Sequence, residues 1–88
     1  MKLKYKFIIR SVAGNSVALA VGDDNQKFNG MIKLNSVGEF IFKLLEKEIT
    51  LDGIISEITN KYDVSAEDAK EATLPFIDTL RQNGVIEE

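Results

Sequence analysis

The first third of the chain alternates apolar and polar side chains with a period of two, and this alternation constrains the fold more than any other feature. Residues 16–21 and 28–34 follow the same pattern as residues 3–10, and polar turn segments at 13–16 and 23–26 separate the three runs. Such alternation is typical of half-buried strands. We therefore predict a three-stranded antiparallel meander. Three strands cannot bury their own apolar face, so a helical layer must cover it.

The remainder of the chain predicts three amphipathic helices that supply this cover. Each begins after a residue suited to an N-cap, Asn35, Thr50 or Ser65. Gly84 ends the third helix, and Pro75 within it should bend its axis. The predicted core beneath the sheet face of Phe7, Leu19 and Ile32 consists of Phe40, Ile41, Leu44, Ile55, Ile58, Phe76 and Leu80. The pattern predicts one α+β domain over residues 1–88, a three-stranded antiparallel sheet followed by three helices (βββααα).

Composition argues against an enzyme. The 88 residues include no cysteine and no histidine, which removes disulfides, thiolate metal sites and the commonest acid–base group. The adjacent Asp23 and Asp24 fit a polar turn, and the acidic residues after Ser65 fit helix-start electrostatics better than metal ligation. Glycines match no phosphate-loop spacing. We expect no catalysis, no cofactor and no metal. No apolar run is long enough to span a bilayer, so we expect a soluble, cytoplasmic protein with no membrane partner.

Charge is divided unevenly along the chain. Residues 1–33 carry six basic and two acidic side chains, whereas residues 34–88 carry five basic and twelve acidic ones. The helical half, which would have to enter a nucleic-acid groove, is therefore repelled by phosphates. We expect no nucleic-acid partner, although a winged-helix regulatory or nucleic-acid-binding domain remains the alternative interpretation.

An ordered set of residues over 32–86 resembles the PqqD family, which is associated with coenzyme PQQ synthesis and with the modification of ribosomally made peptides. The set comprises Leu34-Asn35, Gly38, Phe42, Leu44-Leu45, Glu46, Thr50, Ile54, Ile55, Ile58, Tyr62, Val64, Phe76-Ile77, Leu80 and Asn83-Gly84-Val85-Ile86. Phe42 stands where the family usually has Trp, and Pro75 departs from the usual pattern. The resemblance implies a winged-helix-like fold that recognises a precursor peptide.

The resemblance also implies a partner and a site. The chain would bind the leader segment of a precursor by strand addition and present it to a separate modifying enzyme, for which a radical SAM enzyme is one candidate class. The open edge of the third strand would accept the leader, and the outer side of the third helix would contact its side chains. The predicted peptide-binding residues are Phe28, Asn29, Gly30, Met31, Ile32, Lys33, Lys70, Thr73, Leu74, Ile77 and Arg81. Because a meander has two open edges, we expect a monomer or a weak edge-paired dimer.

Overall fold

Five strands and three helices make up the part of the chain that the computed structural model describes, residues 1–22 and 30–88. In chain order they are β1 (Lys2–Leu3), β2 (Phe7–Val12), β3 (Asn15–Ala20), β4 (Met31–Leu34), α1 (Ser36–Leu44), α2 (Leu51–Lys61), α3 (Ala66–Gln82) and β5 (Ile86–Glu87). Strands β2, β3 and β4 form an antiparallel sheet in that order, and β1 pairs with β5. The predicted α+β fold, a three-stranded sheet followed by three helices, is confirmed.

The predicted first strand is divided in the structure. The segment before β2 pairs elsewhere, because the N–H of Leu3 donates to the carbonyl of Leu45 (2.8 Å) and the N–H of Lys4 donates to the carbonyl of Val85 (2.8 Å). The prediction of one continuous strand over residues 3–10 is therefore wrong. The predicted turn at residues 23–26 and the start of the predicted third strand lie outside the described residues.

A two-residue turn sets the register of the sheet. Ala13 and Gly14 both have positive φ, 52° and 83°, which is the backbone of a type I′ hairpin turn. This turn places Ile9 opposite Ala18, and Ala18 opposite Ile32 on the other side. The face that the helices cover therefore carries alanine on the central strand.

Leu19 consequently lies on the opposite sheet face from Phe7 and Ile32. The prediction that these three side chains share the buried face is wrong. The inner face of the central strand has room only for small side chains, because the larger side chains of β2, β4 and the helices fill the volume above it. Ala18 (0% exposed) and Ala20 (3% exposed) fit there.

All three predicted N-caps are confirmed. The side-chain oxygens of Asn35, Thr50 and Ser65 accept the backbone N–H three residues ahead at 2.7, 3.0 and 3.1 Å. Gly84 follows α3 with φ 69°, as expected of a residue that ends a helix. Among the described residues, no helix combines the length and apolar character needed to cross a membrane.

The core lies between the inner sheet face and the three helices. Its buried members are Ala18, Leu34, Ile41, Phe42, Leu45, Ile54, Ile58, Ala69, Ile77, Leu80, Val85 and Ile86. The predicted burial of Ile41, Ile58 and Leu80 is confirmed, whereas Phe40, Leu44, Ile55 and Phe76 are only partly buried at its margin. Phe42, which the sequence pattern left off the core stripe, packs edge-to-face on Phe7 with 5.2 Å between ring centroids.

Two leucines on α3 provide a matched test of this core. Leu80 is 0% exposed and Leu74 is 37% exposed. We expect Leu80→Ala to lower the free energy of unfolding by about 2–5 kcal/mol through lost contacts and a residual cavity. Leu74→Ala should change it by no more than about 0.5 kcal/mol. Urea unfolding followed by circular dichroism measures both, and equal losses in the two variants would contradict the register of α3.

Candidate peptide-binding site

Some backbone groups on the outer edge of β4 have no partner among the described residues. The N–H of Val21 donates to the carbonyl of Lys6 at 2.9 Å, which makes Lys6 and Val21 a hydrogen-bonded pair one step beyond Phe7 and Ala20. Bonded and non-bonded pairs alternate along an antiparallel ladder. Counting back along β3 from Val21, every second residue bonds to β2 and the residues between them do not. The backbone groups of Ala18 and Ser16 must then face β4, where they are opposite Ile32 and Leu34.

It follows that the backbone N–H and C=O of Met31 and Lys33 point away from the sheet. Among the described residues, no other hydrogen bond engages these groups. Two donors and two acceptors are therefore available along this edge for an added strand. The predicted site residues Met31, Ile32 and Lys33 lie on β4, and the exposed Gly30 directly precedes it. Phe28 and Asn29 fall outside the described residues.

An apolar cleft begins where β4 ends. It has a volume of about 160 Å³ and is lined by Asn35, Val37, Gly38, Ile41, Ala72 and Phe76. The first four belong to the start of α1 and its cap, and the last two belong to α3. The cleft is thus adjacent to the end of β4.

Gly38 allows the two helices to approach each other at this cleft. A Cβ atom at this position would lie 3.5 Å from a ring carbon of Phe76 and 3.2 Å from the cap oxygen of Asn35. Any side chain beyond Cβ would therefore occupy the cleft or displace the cap. The small residue that the family pattern places at this position has a direct structural reason.

The predicted surface on α3 is only partly exposed. Thr73 and Ile77 are 0% and 1% exposed, and the Thr73 hydroxyl donates to the carbonyl of Ala69 at 2.7 Å. These two side chains belong to the core, so their predicted position on the outer side of the helix is wrong. The reason is helical spacing, since both lie close to the buried Ala69 and Leu80 on the wheel. Lys70, Leu74 and Arg81 are exposed.

Arg81 is occupied by acidic neighbours. Its guanidinium donates to both carboxylate oxygens of Glu88, at 3.0 and 2.8 Å, and to Asp78 at 2.9 Å. The hydrogen bonds and charge of Arg81 lower the pKa of Glu88 below its usual value. The charge of Arg81 is largely compensated, which makes it a weak attractant for acidic residues of a peptide. Lys70 forms no ion pair within the described part of the chain.

Sequence reasoning missed the cleft. It placed Phe76 in the predicted core, yet this side chain is only partly buried, and at the cleft it is joined by the partly buried Val37 and the exposed Ala72. The small size of Gly38 and Ala72 was the available signal, because two small residues on facing helices leave room between them.

A larger cleft of about 320 Å³ lies elsewhere, lined by Leu3, Tyr5, Lys6, Phe7 and Glu46. It adjoins β2, which is two strands away from the free edge of β4. An added strand on β4 would therefore not reach it.

A three-stranded sheet covered on one face by three helices and open at the β4 edge defines a winged-helix-like α+β domain. The chain belongs to the PqqD family, whose description is coenzyme PQQ synthesis protein D, and the family model matches residues 10–86. This confirms the family resemblance of the sequence.

One solved structure is similar over nearly the whole chain. It is described as TbiB1 in complex with the TbiA(beta) leader peptide, and it matches with a TM-score of 0.75 at 21% identity. The match covers 99% of this chain and 95% of that one. At this identity the likeness establishes the shared fold. No curated protein matches the chain.

The cluster of Arg81 with Glu88 and Asp78 yields a prediction about the pKa of Glu88. Replacing Arg81 with Gln should raise the pKa of Glu88 towards its ordinary value, because the two hydrogen bonds and the positive charge that stabilise the carboxylate are lost. A carbon-detected NMR titration of side-chain carboxyl groups measures this pKa. Lys70→Gln on the same helix is the control and should leave it unchanged; an unshifted Glu88 in the Arg81 variant would show that the cluster does not persist in solution.

Proposed function

We propose that this chain binds the leader segment of a ribosomally made precursor peptide as a fourth strand on β4 and presents the precursor to a separate modifying enzyme. The observation that carries this proposal is the row of backbone groups at Met31 and Lys33 that have no partner in residues 1–22 and 30–88, next to an apolar cleft. Membership of the PqqD family supports it. So does the similarity in fold to TbiB1, whose structure contains a leader peptide.

The edge and the cleft have different roles in this proposal. Backbone hydrogen bonds to Met31 and Lys33 are available to any extended peptide, so they supply affinity with little selectivity. Selectivity comes from the cleft, which accepts an apolar leader side chain of limited size. The predicted contacts of Lys70, Leu74 and Arg81 lie on the other flank of α3 from Ala72 and Phe76, so the two flanks can be tested against each other.

In this function the chain itself catalyses no reaction. We infer that the reaction belongs to the modifying enzyme, with a radical SAM enzyme as one candidate class, and that the chain works in the cytoplasm, where precursors are made. Leader binding to β4 occupies one of the edges through which two copies could pair. The chain is therefore a monomer or a weak edge-paired dimer when no leader is present.

A nucleic-acid-binding role is the alternative with the same fold class. The exposed acidic side chains of α3 are Glu67, Asp68, Glu71 and Asp78, against the basic Lys70 and Arg81. Arg81 is already paired with two carboxylates. This helix would repel a phosphate backbone, so the observations favour a peptide.

Removing single backbone donors from the β4 edge tests the proposal. Proline lacks the N–H and is tolerated at strand edges and strand starts. We expect Lys33→Pro and Met31→Pro each to weaken binding of the leader about 3- to 10-fold, because one backbone hydrogen bond contributes about 0.5–1.5 kcal/mol. The probe is a synthetic peptide with the sequence of a candidate leader, and calorimetry measures its dissociation constant.

Alanine variants at the same two positions control for the side chains. Lys33→Ala and Met31→Ala keep the N–H and should bind the leader within about twofold of the parent, since the lysine charge is exposed and screened. Circular dichroism verifies that the proline variants fold. Unchanged binding in both folded proline variants would refute strand addition at β4.

Filling the cleft tests which flank of α3 the leader contacts. Ala72 is exposed at the cleft mouth, so Ala72→Trp should occupy the cleft without disturbing the core and weaken leader binding about tenfold or more. Lys70→Trp places the same side chain on the opposite flank and should change binding little. Fluorescence anisotropy of a labelled leader measures the affinity of both variants. Weaker binding by the Lys70 variant alone would favour the flank of Lys70, Leu74 and Arg81.

A further inference from the structure

A row of apolar side chains crosses the sheet on the face that the helices do not cover. Ile8, Leu19 and Met31 are directly opposite one another on β2, β3 and β4. Ile8 is 36% exposed and Met31 is 65% exposed. None of the three belongs to the hydrophobic core cluster. We name this set the outer row.

Positive charge borders the outer row. Arg10 and Lys33 lie two residues further along β2 and β4, on the same face, with Val17 between them in register. The strands β2, β3 and β4 contain no acidic residue. The segment from α1 to α3, residues 36–82, carries ten acidic and five basic side chains. Within the described part of the chain, the outer sheet face therefore carries positive charge and the helical layer carries net negative charge.

We propose that the outer row is the docking surface for a second protein whose contact patch is apolar at its centre and carboxylate-bearing at its rim. Apolar contact with Ile8, Leu19 and Met31 supplies the binding energy, and carboxylates opposite Arg10 and Lys33 orient the partner and speed association. The proposal rests on the proposed function in that this partner is the modifying enzyme.

The dimensions of the face indicate a transient contact. The strands have six, six and four residues, and at about 3.3 Å per residue and a spacing of about 4.8 Å they give a face of about 250 Å² per partner. Buried area of about 500 Å² in total is below the roughly 1,200 Å² of stable complexes. An enzyme that must release each finished precursor suits such a contact.

Charge disfavours a second copy of the chain as the occupant. A two-fold pairing of outer rows would bring the Arg10 and Lys33 side chains of both copies into one small interface without a described acidic residue between them. Like charges placed together in an interface cost binding energy. A distinct protein with acidic residues has no such conflict.

The outer row lies next to the β4 edge, where the leader is proposed to bind. Met31 lies on β4, and a leader added to β4 would extend the sheet in the same plane. Alternate leader side chains would then lie beside the outer row. The partner would contact the chain and the leader together, whereas Ile8 and Arg10 on β2 would contact the partner alone.

Site-specific photo-crosslinking tests the docking surface. The photoreactive residue p-benzoylphenylalanine replaces either Ile8 or Leu74, which are equally exposed at 36% and 37% but lie on the sheet and on α3. In irradiated cells that express the full chain, we expect an adduct from position 8 and none from position 74. Mass spectrometry should place the crosslink in a partner segment with apolar residues flanked by Asp or Glu.

Capture of a protein is not sufficient support, so affinity for the purified captured protein is measured next. We expect Ile8→Glu and Arg10→Glu each to weaken binding at least tenfold, and higher salt to weaken binding of the parent. Unchanged affinity in both folded variants would overturn the proposal. So would equal adducts from positions 8 and 74, no adduct at all, or adducts consisting only of a second copy of the chain.

Leader binding by the same variants separates this proposal from the proposed function. Ile8→Glu and Arg10→Glu change β2 and leave the β4 edge intact, so both should bind the leader as the parent does. A parent chain that binds no leader contradicts the proposed function, whereas normal leader binding without partner docking contradicts only the role of the outer row.

Discussion

The inner face of a three-stranded sheet must be covered, and the way this chain covers it determines what remains available for binding. All three helices pack on the same side, where Phe42 of α1 meets Phe7 of β2 and buried side chains of α1, α2 and α3 share one core cluster with Ala18. Burial of this interface supplies most of the stabilisation of so small a chain. The opposite sheet face and the β4 edge are left outside the core as a direct consequence.

The terminal strands keep that edge open. A short strand at either end of the chain could in principle have paired with β4 and closed it. Instead β1 and β5 pair with each other, and the backbone of Leu3 is tied to the end of α1 while that of Lys4 is tied to Val85. These bonds hold the ends of the helical layer together. The two terminal strands therefore form their hydrogen bonds with each other and with this layer, and not with the sheet to which a leader would bind.

Local chemistry made much of this fold predictable from the sequence. An N-cap needs only a side-chain oxygen and the backbone three residues ahead, so Asn35, Thr50 and Ser65 were identifiable without tertiary information. The period of two likewise indicated which residues share a face within each strand. It could not indicate which faces of neighbouring strands coincide, because the turn at Ala13 and Gly14 decides that. Leu19 was assigned to the wrong face for this reason.

Features that depend on long-range contacts were not predictable. The pairing of β1 with β5 joins strands of two residues at opposite ends of the chain, which carry no periodicity to detect. The cleft between α1 and α3 depends on how closely the two helices approach at Gly38. Thr73 was placed on the outer side of α3 because it lies three residues after the exposed Lys70, whereas here it is buried and its hydroxyl donates to the carbonyl of Ala69.

The arrangement separates three kinds of recognition that a presenting protein needs. Under the two proposals, backbone groups at the β4 edge accept an extended peptide, the cleft selects one of its side chains, and the outer row contacts another protein. Strand addition places successive peptide side chains on alternate faces, so a leader on β4 would display one set to the helical side and the other beside Met31. A partner that touched this second set would bind the loaded chain more tightly than the empty one. By reciprocity the same partner would then tighten the hold on the leader by the same factor, so that a weak docking contact would favour chains that already carry a precursor.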